Sequence, residues 1–481
     1  MSGILACGAY LPRLRIARTV IAAANSWLRA PGGAAAKGER TFCNWDEDAI
    51  TMAVEAARAC LASRDRSTIR SLVLASTTLP FADRSNAGIV AAALDLPAST
   101  QCTDLCGSQR AGTQALLQAL QRADGADGEV LVIASDRRLA KPGSPQELAY
   151  GHGAAAVLIG EGPVVAQLLG AASLHSDLVD HYRSSGAAYD YTLEERWVRD
   201  EGHLKVLPEV IGSALNDAQV TAEQIARILL PVPSRTAQVV TQRAGMAVSA
   251  LEDDIVGVCG DIGVAHALLR LAKTLDEAQP GDRVLLAGFG QGADALVLRV
   301  FEREPGPEAD RKFPQLLAER IEEQQYTRFL SHCGLLGVDF GMRAERDNRT
   351  AHSASFRRHR DLLAFVGGRC TACGTVQFPR SHVCVNPQCR AFETQVTHPL
   401  AETRGCVKTF TEDWLAYSAR PPLVYGNVAL EAGGNAFIEF ADTMPGELAV
   451  GRPVRFSFRI KDVDTLRGFQ RYFWKATPVQ D

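Results

Sequence analysis

Four cysteines in the C-terminal part of the chain form two close pairs, and this spacing restricts the local fold more than any other feature of the sequence. Cys370 and Cys373 are followed by Cys384 and Cys389. Two such pairs can supply four thiolates to one tetrahedral zinc ion, and a shell of four sulfurs leaves no position for water or substrate. We therefore expect one structural zinc. His382 is a further candidate ligand, although the four-cysteine set is complete without it, and free or redox-active thiols are the alternative.

The residues after this motif, 400–481, contain short segments in which apolar and polar residues alternate. Alternation with a period of two, interrupted by regular turn residues, predicts a small antiparallel barrel. Its aromatic residues suggest a stacking surface for single-stranded nucleic acid. Because no basic groove accompanies them, we expect these aromatics to pack in the core or at an interface. They are Phe456, Phe458, Phe469, Tyr472, Phe473 and Trp474.

The first 300 residues alternate buried strands with amphipathic helices, which predicts an α/β layered fold. The order of elements is similar in two halves, and a charged stretch with helical pieces near 315–325 and 355–363 follows them. The sequence therefore predicts an N-terminal half, a C-terminal half, a charged linker with helices, a zinc ribbon and a barrel. Their expected ranges are 1–165, 166–305, 306–360, 361–399 and 400–481.

Composition limits the possible partners and location of the protein. The 51 basic and 55 acidic residues give a net charge of −4, without a long basic run, so we expect no nucleic-acid partner. No apolar stretch reaches the roughly 18 residues of a membrane span, and no basic segment followed by a long apolar one opens the chain. These features predict a cytoplasmic protein without a membrane segment.

Five segments of the first 300 residues together form a recognisable pattern: residues 48–57, 72–78, 104–113, 151–157 and 288–294. They resemble the thiolase superfamily, and most closely hydroxymethylglutaryl-CoA synthase and the initiating ketoacyl synthases. The resemblance implies a duplicated five-layer fold for this part of the chain. The ribbon and barrel resemble the zinc-ribbon and OB-fold proteins that accompany thiolase-like acyl-CoA enzymes and aldolases, which implies an OB-fold for the barrel.

The sequence departs from this family at the positions that match its catalytic residues. The family cysteine, four residues before the threonine of an Ala-Gly-Thr turn, falls on Gln109. The family glutamate falls on Thr77 and the histidine on Pro231, while the asparagine position holds Asp261. Because a glutamine amide cannot form a thioester, covalent acyl transfer through position 109 is excluded.

The resemblance still implies a site that binds an acyl-CoA and stabilises its enolate. Three groups are candidate hydrogen-bond donors to the thioester oxygen: the Gln109 amide, the start of the helix that follows it, and the backbone amides of a glycine-rich loop. The glycines of that loop are Gly288, Gly290 and Gly292. Coenzyme A then enters as part of the substrate.

Two residues are candidates for the base. Asp261 is the first, because desolvation would raise its pKa into a useful range. The alternative for Asp261 is that it caps the helix that runs from Val264. His266 lies one turn further along and is either a catalyst or a packed helix residue. His152 fits a turn histidine with satisfied hydrogen bonds.

Two other nucleophiles lie near position 109. A one-turn shift would bring Cys106 to the helix start, although the gapless match places it in the approach strand. Ser108 is the second candidate, but no base is recognisable beside it. Tyr182, Arg183 and Tyr189 lie in the segment that approaches substrate in the synthases.

Three functions remain open at the level of sequence. The first is non-covalent retro-aldol cleavage of a β-hydroxyacyl-CoA through a thioester enolate. The second is a hydroxymethylglutaryl-CoA synthase-like acyltransferase that uses Cys106. The third is a non-catalytic acyl-CoA-binding partner of an active condensing subunit. The resemblance also implies a homodimer, or a heteromer with another thiolase-like subunit.

Overall fold

The computed structural model describes residues 1–28, 36–122, 128–303, 312–339 and 351–479. The chain divides into two compact units. The first contains Met1–Cys43, Asp48–Gly88 and Pro97–Phe329. The second is built mainly from the C-terminal residues and contains Asn44–Glu47, Ile89–Leu96 and Leu330–Asp481. The five sequence ranges given above stay predictions.

Strands and helices alternate along the first three hundred residues, as the sequence predicts. The strands up to residue 323 are β1 (Ser2–Tyr10), β2 (Leu14–Ala17), β3 (Glu39–Thr41), β4 (Ile69–Ala75), β5 (Gln101–Leu105), β6 (Glu129–Arg137), β7 (His152–Glu161), β8 (Ala166–His175), β9 (His181–Tyr182), β10 (Tyr191–Thr192), β11 (Arg227–Leu229), β12 (Arg283–Phe289), β13 (Gly292–Val300) and β14 (Ile321–Glu323). The α-helices up to residue 332 are α1 (Arg18–Ala24), α2 (Ala49–Leu61), α3 (Asn86–Ala93), α4 (Ala111–Arg122), α5 (Pro145–Ala149), α6 (Glu195–Trp197), α7 (Leu204–Asp217), α8 (Ser234–Arg243), α9 (Val256–Cys259), α10 (His266–Glu277), α11 (Phe313–Ala318) and α12 (Tyr326–His332).

A mixed sheet of nine strands forms the frame of the first unit, in the order β11-β12-β13-β8-β1-β7-β6-β4-β5. In its first half, β4 runs parallel to β5 and β6, and β7 runs antiparallel to β6 and β1. In its second half, β12 runs parallel to β11 and antiparallel to β13, which pairs with β8. The two halves join where β1 meets β8, through the pair Ile4 and Ala166. The duplicated arrangement expected from the sequence is therefore confirmed.

Helices cover both faces of each half-sheet. α4 and α10 share one core with residues of both halves, including Ile4 of β1 and Leu286 of β12. α2 packs on β1, β6 and β7, and α7 packs on β8 and β13. This arrangement gives the five layers α-β-α-β-α, and strands covered on both faces are expected to be continuously apolar, as β7 is.

The start of α2 shows how the local sequence sets an element boundary. The Asp48 side chain accepts a hydrogen bond from the Thr51 amide, and the Thr51 hydroxyl accepts one from the Asp48 amide. This capping box satisfies free amides at the helix start. The helix therefore begins at Ala49.

The second unit contains two small sheets. Its elements are α13 (His352–Arg357), α14 (His359–Leu363), β15 (Val366–Cys370), β16 (Val376–Gln377), β17 (Gln395–Pro399), β18 (Gly405–Asp413), β19 (Leu423–Leu430), β20 (Asn435–Glu439), β21 (Pro453–Asp464) and β22 (Phe469–Pro478). The first sheet has the order β16-β15-β17 and the second β20-β19-β18-β21-β22. The edge strands of the second sheet approach each other, because Phe440 forms a bridge with Ala476. The predicted antiparallel β-structure is confirmed, while its assignment as an OB-fold stays a prediction.

Aromatic side chains fill the interior of this second sheet. Phe456, Phe458 and Trp474 are fully buried, and the Trp474 ring N–H donates a 2.7 Å hydrogen bond to the carbonyl of Leu363. Phe365 contacts the rings of Phe456 and Trp474. These side chains therefore pack in a core, as expected from the absence of a basic groove.

The helical pieces predicted near 315–325 and 355–363 are present, but they do not fill these stretches. In the first, α11 ends at Ala318 and β14 then pairs in parallel with β2. The open edge of β2 supplies backbone partners that local propensity cannot reveal. The stretch 355–363 contains two helices, which are separated at Arg358 by a non-helical backbone conformation.

Within the described residues, no helix has both the length and the apolar character that crossing a membrane requires.

Close packing of β1 against α2 predicts a large effect of one methyl group. A Cβ at Gly8 would lie 2.2 Å from the Cys60 backbone nitrogen and 2.6 Å from the Ala56 carbonyl oxygen. We expect Gly8→Ala to lower the free energy of unfolding by about 1–3 kcal/mol, measured by urea denaturation and by hydrogen exchange of the α2 amides. The matched control is Gly212→Ala in α7, where a Cβ meets no atom within 4 Å. That variant should gain about 0.5–1 kcal/mol, and equal losses in both variants would contradict the packing argument.

Candidate active site

A cavity of about 600 Å³ lies in the first unit, where the ends of β4 and β5 meet the start of α4. Thr77 follows β4, Cys106 follows β5, and Gln109 lies two residues before α4; all three line the cavity. The structure therefore brings together three of the five residues that the sequence nominated for catalysis. Asp261 and His266 are not among the lining residues.

The first turn before α4 holds Gln109 in a fixed position. The Ser108 hydroxyl donates a 2.9 Å hydrogen bond to the Gly290 carbonyl, and the Arg110 guanidinium lies 3.2 Å from the Asp294 carboxylate. Asp294 also accepts a 3.0 Å hydrogen bond from the Thr113 hydroxyl inside α4. Ser108 is thus engaged as a hydrogen-bond donor, which does not favour a role as nucleophile.

The two ends of the Gln109 amide have different surroundings. Nε2 lies 3.4 Å from the Thr77 hydroxyl oxygen, which makes one weak contact with one of its two hydrogens. Oε1 is buried and has no hydrogen-bond partner in the described part of the chain. Because Oε1 is shielded from solvent, the amide retains only a donor, the second hydrogen of Nε2, for a bound molecule.

A buried carboxyl group that sequence reasoning missed lies behind this amide. Asp136, at the end of β6, accepts hydrogen bonds of 2.9 Å from the Thr77 amide, 3.0 Å from the Thr78 hydroxyl and 3.0 Å from the Val264 amide. Burial raises the pKa of the Asp136 carboxyl above its ordinary value, although these amide hydrogen bonds oppose the shift. A carboxylate that directly follows an apolar strand was the sequence signal that could have identified it.

Gly263 provides the space in which Asp136 and Gln109 approach each other. A Cβ at this position would lie 2.5 Å from Asp136 Oδ2 and 2.7 Å from Gln109 Oε1. Its backbone has a φ of +59°, in the left-handed region that favours glycine. Both the space and the backbone conformation therefore require glycine here.

Asp261 does not have the properties expected of the base. Its carboxylate lies 3.1 Å from the Arg138 guanidinium, its side chain is 42% exposed, and it accepts a 2.9 Å hydrogen bond from the Gly263 amide. Burial acts to raise the pKa of Asp261, but the charges of Arg138 and His266 and the amide hydrogen bond outweigh it and lower the pKa. The expectation of a raised pKa is therefore wrong. The alternative, a cap on the helix from Val264, also differs from the structure, because α10 begins at His266 without a side-chain cap and Asp261 accepts from the Gly263 amide before it.

Two of the histidines considered from sequence have structural partners. His266 donates from Nε2 to Asp254 at 3.1 Å, while its Nδ1 accepts from the Ile262 amide at 3.5 Å. His152 is fully buried, accepts from the Cys43 amide at 2.9 Å and donates to the Arg138 carbonyl at 3.0 Å. Burial, together with the neighbouring arginines, lowers the pKa of His152 well below 6.5. It is therefore a neutral histidine with satisfied hydrogen bonds.

Cys106 lines the cavity but lacks the features of an activated thiol. It lies directly after the last residue of β5, whereas the gapless match placed it within the approach strand, and it precedes Gly107. Burial raises the pKa of the Cys106 thiol, and the carboxylates of Asp104 and Asp136 raise it further. Since the thiolate is the reactive form, this environment suppresses nucleophilic reactivity.

The three candidate glycines have different environments. Gly290 lines the cavity, but its N–H donates a 3.0 Å hydrogen bond to the Gly292 carbonyl, so the expectation that it is free for a thioester oxygen is wrong. Gly288 lies in β12, where a Cβ would be 2.2 Å from the Thr113 hydroxyl. Gly288 and Gly292 are not among the lining residues. Gly288 instead permits close approach of β12 to α4.

A second missed feature is an acid–histidine pair in the cavity wall. Asp180 and His181 both line the cavity, and His181 Nδ1 donates to Asp180 Oδ2 at 2.8 Å. Burial raises the pKa of Asp180, but the hydrogen bond and the charge of His181 outweigh it and lower the pKa. The Nε2 atom of His181 has no hydrogen-bond partner among the described residues. An oriented imidazole with one open nitrogen is the arrangement of a general base.

The hairpin of β9 and β10 is fixed beside the cavity by charged contacts. Arg183 donates to the Thr77 carbonyl and lies 3.0 Å from the Asp190 carboxylate. Asp190 also lies 2.9 Å from Arg138 and accepts a 3.0 Å hydrogen bond from the Tyr150 hydroxyl. Burial raises the pKa of Asp190, but Arg138 and Arg183 lower it below its ordinary value. Arg183, which the sequence suggested as a residue near the substrate, therefore stabilises the position of this hairpin.

The four cysteines of the predicted zinc motif converge in the second unit. All four Sγ atoms lie within 4.8 Å of one another, with Cys370 and Cys389 at 3.9 Å and Cys373 and Cys384 at 3.6 Å. Four sulfurs at about 2.3 Å from a tetrahedral zinc would be about 3.8 Å apart. These four cysteines could therefore bind zinc. His382 is 78% exposed and pairs with Glu393 at 2.8 Å, outside the cluster.

The first unit has a thiolase-like α/β fold. The structure matches a crystal structure of HMG-CoA synthase complexed with CoA with a TM-score of 0.60 and 19% sequence identity. This match covers 67% of the present chain and 88% of the other. At this identity the likeness shows the fold.

Sequence relatives define the family more closely. The chain is 31% identical over 303 residues to the hydroxymethylglutaryl-CoA synthase of Aeropyrum pernix. The aligned region covers 61% of this chain and 82% of that protein. It is also 31% identical over 332 residues to the hydroxymethylglutaryl-CoA synthase of Archaeoglobus fulgidus, covering 63% and 92%. The chain therefore belongs to the hydroxymethylglutaryl-CoA synthase family. Residues 359–395 match a second family, described as the ChsH2 rubredoxin-like zinc ribbon domain.

The sulfur geometry predicts the metal content of the protein. We expect the full chain to contain about one zinc ion and Cys384→Ala to retain less than half of it, because three thiolates bind zinc less tightly than four. Inductively coupled plasma mass spectrometry of dialysed protein measures this. The matched control is Cys406→Ala, which removes an exposed cysteine outside the cluster and should leave the zinc content unchanged. Equal zinc content in both variants would exclude the four-cysteine site.

Proposed function

We propose that this protein cleaves a β-hydroxyacyl-CoA by a non-covalent retro-aldol reaction and that His181 is its general base. The observation that carries the proposal is that the Asp180–His181 pair and the Gln109 amide line one cavity. The resemblance matches the family nucleophile to position 109, and membership of the hydroxymethylglutaryl-CoA synthase family supports a CoA thioester as the substrate. His181 replaces Asp261 as the proposed base.

The proposed reaction needs one proton acceptor and no oxidant or reductant. His181 Nε2 takes the proton of the β-hydroxyl group, and the bond between Cα and Cβ breaks. The former carbinol carbon becomes an aldehyde or ketone, and the electron pair of the broken bond forms a thioester enolate. The proton then passes from His181 to Cα, which gives a shorter acyl-CoA and regenerates the base.

Two other groups that line the cavity lower the energy of this path. Gln109 Nε2 offers a hydrogen to the enolate oxygen, at the positive end of the α4 dipole. Asp180 holds the His181 tautomer with Nδ1 protonated and stabilises the imidazolium that forms when Nε2 takes a proton. Both groups act without a covalent intermediate.

The two other functions are less well supported. An acyltransferase that uses Cys106 requires a reactive thiolate, whereas burial and two carboxylates raise the pKa of this thiol. A non-catalytic partner would not require an oriented histidine with an open nitrogen in the cavity. A homodimer or a heteromer with another thiolase-like subunit, and a cytoplasmic location, stay predictions.

Activity of the histidine variant tests the proposal. The full chain is incubated with a panel of β-hydroxyacyl-CoA thioesters, with chromatography of the CoA products and intact-protein mass spectrometry. We expect release of a shorter acyl-CoA without an acyl adduct, and a fall in kcat of about 10²-fold or more for His181→Gln. The matched control is His175→Gln, an exposed histidine at the end of β8 outside the cavity lining, which should keep wild-type activity.

Each contrary outcome favours a different function. An acyl adduct that disappears in Cys106→Ala would replace the lyase by the acyltransferase. Neither turnover nor adduct, with acyl-CoA still bound, would favour the non-catalytic partner. Turnover that survives His181→Gln would remove His181 as the base.

A further inference from the structure

We infer that the cavity selects acyl groups that carry hydroxyl groups and no carboxylate. This inference rests on the proposed function, because it assigns the cavity to an acyl thioester. The charges of the residues that line the site decide which acyl groups bind.

Carboxylates outnumber cations in the cavity wall. Asp104, Asp180 and Asp190 line it, while Arg183 is the guanidinium among the lining residues. Because Asp190 is paired with Arg183 and Arg138, the excess negative charge lies on Asp104 and Asp180. Arg183 is already committed to Asp190 at 3.0 Å and to the Thr77 carbonyl. It is therefore not available as the partner of a substrate carboxylate.

Asp104 adds a negative charge to the wall, and its hydrogen-bond donors are neutral groups rather than a cation. It accepts hydrogen bonds of 2.9 Å from the Asn86 amide, 3.0 Å from the Asn86 side chain and 2.7 Å from the Ala87 amide. These neutral donors stabilise the carboxylate but leave its charge uncompensated. A carboxylate on a bound acyl group would be repelled by it at low dielectric.

The hydrogen-bonding character of the wall leads to the same conclusion. Ionised carboxylates only accept hydrogen bonds, and those of Asp104 and Asp180 line the cavity. A bound molecule that covers them must therefore bring donors, because an acceptor that loses water without gaining a partner is costly. A hydroxyl group can donate, whereas a carboxylate offers only further acceptors.

Binding of two isosteric thioesters tests the inference without requiring turnover. The probes are 3-hydroxy-3-methylglutaryl-CoA and its mono-amide, in which a neutral carboxamide replaces the distal carboxylate. We expect the wild-type full chain to bind the amide about tenfold or more tightly, measured by isothermal titration calorimetry at low salt. Asp104→Asn should reduce this ratio, with its thermal unfolding midpoint recorded as a check on folding. Glu161→Gln, which removes an exposed charge outside the cavity lining, should leave the ratio unchanged.

The outcomes separate this inference from the proposed reaction. Equal or tighter binding of the carboxylate by the wild-type protein would overturn the inference, whatever the variants do. Binding of neither probe would overturn the assignment of the cavity to acyl thioesters, and the inference with it. Selective binding of the amide without any retro-aldol turnover would support the inference while contradicting the lyase.

Discussion

The site depends on one carboxyl group that is fully removed from water. Asp136 is the last residue but one of β6, and it accepts hydrogen bonds from residues that follow β4 and from the Val264 amide before α10. A buried carboxylate without such partners would be costly, so each donor is held in place by the group it satisfies. Thr77 is fixed in this way, and the Gln109 amide lies against the same group through the space left by Gly263.

A second buried carboxylate makes the equivalent contacts from the other half of the fold. Asp294 in β13 accepts from the Thr113 hydroxyl at 3.0 Å and the Ser173 hydroxyl at 2.6 Å, and it pairs with Arg110. Each of the two central helices is therefore tied at its start to an acid on the half-sheet of the other repeat. Negative groups at a helix start are favoured by the helix dipole. The position of Gln109 follows from both ties.

The sequence predicted most of what depends on local pattern and on the family motifs. The α/β alternation, the antiparallel C-terminal sheet and the convergence of the four cysteines are confirmed, because periodicity and ligand spacing are local properties. The pKa of Asp261 could not be predicted, since its partner Arg138 lies 123 residues away in the chain. Asp180 and His181 belong to no motif, and β14 exists because β2 offers it an edge. In each of these cases a distant contact decided the outcome.

The second unit contains residues from two distant parts of the chain, which limits where the chain can be cut into stable fragments. Its residues include Asn44–Glu47, and within it Lys475 lies 2.9 Å from Asp46 while Arg459 pairs with Glu47 and Asp442. The Lys475 and Arg459 side chains are almost completely buried. A fragment that starts after residue 330 would lack Asp46 and Glu47, and buried cations that lose an acidic partner are strongly destabilising. The C-terminal sheet therefore depends on residues from near the start of the chain, and exchange of this unit between proteins would have to carry Asn44–Glu47 and Ile89–Leu96 with it.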